Sequence, residues 1–192
     1  MPTPNPEAMD FFLTRRSRPA KTLRAPVPSR SELAPILTAA ARVPDHGKLE
    51  PWRFIVLSKP ALTRLAGLAR ARGQDLGLEP ERIDKGVMQF SDADLAVVVV
   101  HRPRESEKIP EIEQILSAGG VCLTLVNAAL ASGWGACWLT GWHVHDPAFR
   151  TGALGLRHGE WVAGIIHIGT ETSTPPDRPR PDLAAITEWV TT

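Results

Sequence analysis

The residues best equipped for chemistry fall in a few short stretches. Arg15-Arg16-Ser17-Arg18 is the densest basic cluster, with three guanidinium groups around one hydroxyl. Forked donors of this kind suit a phosphate monoester, while arginines at the end of a helix equally serve to offset its dipole. Arg178 and Arg180 form a second basic pair in a proline-rich tail, and the two clusters can converge on one phosphate only if the fold brings the chain ends together. Between them, PDHGKLEP (residues 44–51) concentrates Asp45, His46, Lys48 and Glu50 in a loop bracketed by prolines, leading straight into the apolar run WRFIVLS. A polar loop feeding a buried strand is a common way to hold a ligand against a rigid scaffold, and a lone loop histidine is equally often a plain surface residue. His143 and His145 read as two imidazoles on one side of an extended segment, too few ligands for a metal site. His101 and His167 are read as surface or satisfied core residues. Cys122 and Cys137 sit in apolar stretches and read as buried free thiols.

Several chemistries lack their signatures. There is no Walker A loop, no G-x-S-x-G elbow and no C-x-x-C pair. Gly133-Trp134-Gly135 supplies only part of a dinucleotide fingerprint, and it follows a helix. A net charge of +1 over 192 residues provides no field for nucleic acid or an anionic membrane.

The elements that must position these residues follow from capping and periodicity. Asn5-Pro6-Glu7 starts a helix that carries Met9, Phe12 and Leu13 on one side and runs out at Arg15-Arg16-Ser17. Ser29 and Glu32 form a capping box before Leu33, Ile36, Leu37 and Ala40, and that helix stops at Val43-Pro44. Ser58 caps a third helix that ends near Gly73, and a short fourth spans Glu81 to Gln89. LAVVVV (95–100) is apolar at every position, so helices must cover both its faces. Pro110 opens a long helix whose acids, Glu111 and Glu113, lie in the first turn. Beyond them it is apolar nearly all round, so it is expected to be buried in the protein or between subunits, with Gly119-Gly120 marking close approach of another backbone. Gly135 to Gly141 is a short strand, Asp146-Pro147 opens a small helix, and WVAGIIHI (161–168) is a last strong strand. The tail ends in an amphipathic turn around Ile186, Trp189 and Val190. We expect one domain over residues 1–192, with 43% hydrophobic and 22% charged residues. The opening MPTPNPEAMDFF lacks the layout of a signal peptide. The uncharged run from Ile115 to Trp142 is too broken by polar residues and glycines for a clean span, so a cytoplasmic, non-membrane protein is expected.

The order of these motifs says more than any one of them. A helix ending in RRS, a helix leading into R-x-P-D-H, then P-W-R-F-x-V, a long small-residue helix, G-x-x-W-x-x-G and a closing I-x-I-G-T before an arginine- and proline-rich tail resembles the nitroreductase family of flavin enzymes, in its small single-domain branch. The resemblance spans roughly Met9 to Trp189. It implies an α+β fold, with a central mixed β-sheet flanked by helices and a long buried central helix. It also implies a homodimer with FMN at the subunit interface, NADH or NADPH as co-substrate, and a ping-pong reduction of nitroaromatic, quinone or related acceptors. By the same resemblance Arg15, Arg16 and Ser17 hold the FMN phosphate, and Arg180 reaches it from the tail. Arg42 and His46 contact the flavin from the partner subunit. Trp138, Leu139 and Thr140 run along the isoalloxazine, and residues 128–133 lie near the nicotinamide nucleotide. No side chain is assigned a catalytic role, because the hydride chemistry belongs to the flavin. Two departures stand out: Pro19 replaces a basic residue after the RRS, and Lys48, Leu49 and Glu50 replace an asparagine and a glutamine before the Pro-Trp. A carboxylate at Glu50 opposes flavin reduction unless Lys48 or Arg53 pairs with it. A flavin-binding protein without turnover, or another flavin reaction such as dehydrogenation or reductive dehalogenation, are the alternatives.

Overall fold

Strand β3 (Leu95–His101) is buried at every position and shows how the layers are arranged. Val98 and Val100 join Leu62, Leu65, Phe90, Phe149 and Ile165 in one core. Val97 and Val99 join Ile36, Val121, Leu125, Ile166 and Ile168 in another. Side chains alternate along a strand, so a strand apolar at every position is at home only between two covered faces. The computed structural model describes residues 3–192; Met1 and Pro2, which begin the segment read for a leader, lie outside the described residues.

Helices α3 (Lys59–Asp75), α4 (Pro80–Ser91) and α7 (Pro147–Leu154) cover the first face. Helices α2 (Arg30–Ala40) and α5 (Glu111–Ala131) cover the second. The sheet runs β1 (Leu23–Arg24), β5 (Trp161–Glu171), β3, β2 (Trp52–Ser58), and β4 (Gly135–Leu139) also pairs with β5. The fold is α+β, as expected, but every strand pairing among the described residues is antiparallel, which corrects the mixed sheet. The connections explain it. Between β2 and β3 the chain goes out along α3 and back along α4, a hairpin in which Gly73 abuts Ile83 and Arg70 pairs with Asp84 at 3.1 Å. Two helices in a connection reverse the direction of the next strand, whereas a single crossover helix would keep it.

The expected caps form at Asn5 and Ser29, whereas Ser58 precedes α3 without a side-chain hydrogen bond to it. Asn5 accepts from the Ala8 amide at the start of α1 (Pro6–Thr14), and Ser29 and Glu32 form the full capping box. Within this chain the central helix is packed on one face only. Its length and mean hydropathy of 1.6 are enough to cross a membrane, yet one face, with Val121, Cys122, Leu125 and Ala129, is packed into the second core. The opposite face is bare: Leu116 is 67% exposed, and Ile112 and Leu123 are exposed beside it. Gly120 rests against Val43, but a Cβ at Gly119 would meet nothing, so no backbone of this chain makes the expected close approach there. Helix α1 buries no residue, and Met9, Phe12 and Leu13 are all exposed. The tail forms only the short helix α8 (Leu183–Ile186), and Trp189 beyond it is 85% exposed. One ion pair ties β2 to β5: Arg53 grips Glu160 with two hydrogen bonds of 2.8 and 2.7 Å. Those bonds hold the Glu160 carboxyl down at about 2.

Candidate functional site

The first group of site residues lies where α1 ends. The Arg15 amide closes the helix on the Phe11 carbonyl. The chain then lies against the sheet, with the Arg18 amide donating to the Ala136 carbonyl of β4 at 2.8 Å and the Arg18 side chain 3.4 Å from Glu171 of β5. Arg15 donates to Ser17 Oγ at 3.3 Å. The buried Nε of Arg15 and Nη1 of Arg16 have no hydrogen-bond partner among the described residues. Burial lowers the pKa of the Arg15 guanidinium, and Arg180 and Arg18 beside it act in the same direction. Arg180 of the tail therefore lies near enough to Arg15 for the two charges to act on each other. Asp177 accompanies it: its carboxylate takes the Arg178 amide at 2.7 Å and an Arg180 nitrogen at 3.2 Å, and Arg16 adds to what keeps it ionised. A corner of crowded guanidinium groups with unmet donors calls for an anion rich in acceptors.

Strand β4 forms the adjoining wall. The Trp138 indole lies across Gly164 of β5, so closely that a Cβ there would collide with it. Leu139 lines a cleft of about 240 Å³ with Lys21, Lys85, Met88, Gln89, Asp92 and His167. The Thr140 carbonyl accepts from Gln89 at 3.3 Å. Beneath this wall His143 packs against Phe90 at a tilt of 60°, with ring centroids 4.7 Å apart. Burial pushes His143 and His167 each down to about 4, so both rings are neutral near pH 7. The segment read as extended at His143-Val144-His145 is in fact the short helix α6 (Trp142–His145), which buries His143 and exposes His145. The two imidazoles do not share a side. His101 is also fully buried, beside Trp161, with no hydrogen bond on either ring nitrogen among the described residues, and buried His167 has none on Nε2, so neither is the surface or satisfied core residue expected.

The second group is the loop before β2. Gly47, Lys48 and Glu50 all adopt positive φ, at 68°, 54° and 50°. Two non-glycine residues in the left-handed region are held there by neighbours. Asp45 accepts from the Glu50 amide at 2.8 Å, and Ser117 of α5 donates to the Pro44 carbonyl at 2.7 Å. His46 Nδ1 lies 2.8 Å from Glu113 of α5. Lys48 and Glu50 face a cleft of about 530 Å³ floored by Trp52 and Phe54. Arg53 also lines it but is committed to Glu160, and no ion pair joins Glu50 to Lys48 among the described residues. Arg42 is exposed. No described cleft is lined both by this loop and by the Arg15–Ser17 or Trp138–Thr140 residues.

Residues 13–170 match the sequence model of the "Nitroreductase family". The chain belongs to the nitroreductase family. It is 32% identical over 164 residues to "Putative NAD(P)H nitroreductase YdjA" of Escherichia coli strain K12, covering 85% of this chain and 88% of that one. Its fold matches the crystal structure of a nitroreductase-like family protein from Bacillus cereus, with a TM-score of 0.78 at 22% identity, over 99% of this chain and 98% of the other. A nitroreductase-type structure from Desulfovibrio desulfuricans, in complex with FMN, matches with a TM-score of 0.73 at 22% identity, over 99% of both chains.

In this family member the site also contains residues that the sequence did not single out. Lys85, Met88 and Gln89 come from α4, where no motif marks them, and Lys21 comes from the turn after Pro19. Only the hairpin geometry of α3 and α4 brings them to β4. Gly164 can be tested directly. Gly164→Ala should displace Trp138 and cost about 1–3 kcal/mol of stability, as overpacking does. A urea-unfolding midpoint equal to the parent's would refute that packing.

Proposed function

We propose that this chain is an FMN-dependent NAD(P)H oxidoreductase that reduces nitroaromatic, quinone or related acceptors. The observation that carries the reading is the corner at the end of α1, where buried donors of Arg15 and Arg16 lack partners and Arg180 adds a third guanidinium. A flavin phosphate supplies the charge and the acceptors this corner lacks. The FMN complex of the Desulfovibrio protein and the name of the E. coli relative support the choice of cofactor and reductant.

In this reading Arg15, Arg16 and Ser17 hold the phosphate, with Arg180 closing over it. Trp138, Leu139 and Thr140 place the ring system along β4. Bound there, FMN would supply the hydride and electron transfer between NADH or NADPH and the acceptor. The chain's own task is placement and exclusion of water, which the apolar wall of Leu139 and Met88 serves. Residues 128–133, at the end of α5, border the nicotinamide nucleotide. Arg42 and His46 act from a second subunit. The bare apolar faces of α1, α5 and the tail support a homodimer, since exposed apolar surface on this scale marks an interaction surface. The cytoplasm, with its NAD(P)H pools, is the matching compartment.

Purified protein given FMN should become yellow, bleach on addition of NADH or NADPH, and recover its colour with a nitroaromatic. Protein that stays colourless would remove this reading. Glu50 favours a second one: without a paired cation, its carboxylate beside a flavin disfavours the reduced ring, as in a flavin-binding protein without turnover. Bleaching by NAD(P)H followed by reoxidation excludes that alternative.

A further inference from the structure

We propose that His46 gives the electron acceptor the proton that a two-electron reduction requires, and that Glu113 is the residue that positions it. This rests on the oxidoreductase reading above. His46 and Glu113 come from different elements and meet at 2.8 Å through Nδ1. A carboxylate in this place fixes Nδ1 as a donor and leaves Nε2 as the working nitrogen. His46 Nε2 has no hydrogen bond among the described residues. The loop that carries His46 is held in place by the Ser117–Pro44 bond, by Asp45 on the Glu50 amide, and by Ile109 against Gly47. Such a loop can hold a proton donor in one position.

The pair borders a cleft of about 430 Å³ completed by Val43, Pro44, Leu116, Ser117 and Gly120. Its surface is mostly apolar, and Gly120 adds no side chain to it. His46 and Glu113 are its only titratable lining residues. The other charged groups near His46 are Asp45 and Lys48 on its own loop, and Asp45 is occupied by the Glu50 amide. The buried histidines are no substitute, since His101, His143 and His167 are all pushed toward the neutral form.

The step balances for a quinone. The reduced cofactor supplies two electrons and one proton, and His46 supplies the second proton. The Nε2–H bond breaks, an O–H bond forms on the quinone oxygen, and the quinone becomes a hydroquinone. The neutral imidazole then takes a proton from water while Glu113 keeps its orientation.

The experiment compares a benzoquinone with ferricyanide, which accepts single electrons and no proton, using the FMN-loaded full chain over a range of pH. Glu113→Gln should lower the quinone rate about tenfold and change its pH profile, with ferricyanide reduction within about twofold of the parent. His46→Gln should lower the quinone rate further. FMN affinity, read by flavin fluorescence, should be the same in Glu113→Gln as in the parent, and His46→Gln is compared at saturating FMN through its quinone rate relative to ferricyanide. The proposal falls if quinone and ferricyanide rates drop together, if neither drops, or if FMN affinity falls with Glu113→Gln, because the pair would then be holding cofactor. A parent protein that takes up no FMN, or is not bleached by NAD(P)H, defeats the oxidoreductase reading itself, which separates the two failures.

Discussion

Replacing Arg15 and Arg16 together with alanine should weaken FMN binding by about a thousandfold. Each guanidinium offers charge-assisted hydrogen bonds worth about 1.5–3 kcal/mol, or roughly one to two factors of ten per residue. Both groups have buried nitrogens with no competing partner, so little of that energy is already committed. The neighbours set the controls. Arg18 faces Glu171 at 3.4 Å, so Arg18→Ala should cost far less affinity. Ser17→Ala removes one neutral hydroxyl and should cost about 1 kcal/mol. Arg180→Ala should fall between, because Asp177 already takes part of its charge at 3.2 Å. Quenching of flavin fluorescence gives each dissociation constant. Affinity that survives the double exchange would move the phosphate away from the end of α1.

Acid unfolding should begin well above the range where carboxylates titrate. In the unfolded chain His143 and His167 titrate near their ordinary 6.5, but burial holds both at about 4 in the fold. Between those values the unfolded chain binds protons that the folded chain refuses. The stabilising effect is therefore complete above about pH 6.5 and is lost as pH falls toward 4. Between pH 7 and pH 5 the loss should be about 2 kcal/mol per ring. His101, also lowered by burial, acts in the same direction. Glu160 belongs to a lower window, since its depressed value of about 2 matters only below the usual carboxylate range. Urea unfolding of the parent at pH 7 and pH 5, beside His143→Phe and His167→Leu, checks this. Each variant should show a smaller difference between the two pH values, whatever its stability at pH 7. An unchanged difference would mean that water or a hydrogen bond reaches these rings.

These histidines also show how far the sequence could be read. His143 and His167 stand in the chain like any polar residue near a strand, and burial depends on what folds over them. Phe90 and Phe149, which enclose His143, come from two other helices. The clefts follow the same rule. Lys85, Met88 and Gln89 are ordinary polar and apolar positions of an amphipathic helix until the α3–α4 hairpin sets them beside Leu139. The mixed sheet was taken from the family resemblance, and the strand runs could not correct it: residue periodicity reports which faces of a strand are covered and carries no sign of its direction.

What the sequence by itself determined is local. Asn5, Ser29, Glu32 and Asp146 fix helix starts through side chains that reach only three residues along. The all-apolar run of β3 fixes a strand covered on both faces, because side-chain alternation leaves no other arrangement. The order of RRS, P-D-H, P-W-R-F and I-x-I-G-T was enough to point to the family. Only the tertiary structure decided that Arg180 comes to Arg15 across most of the chain, and that Arg53 is held by Glu160 and so leaves Glu50 without it. It also decided that His46 meets Glu113. Those pairings depend on directions and distances between elements far apart in the chain. Long-range packing sets them, and no local propensity encodes it.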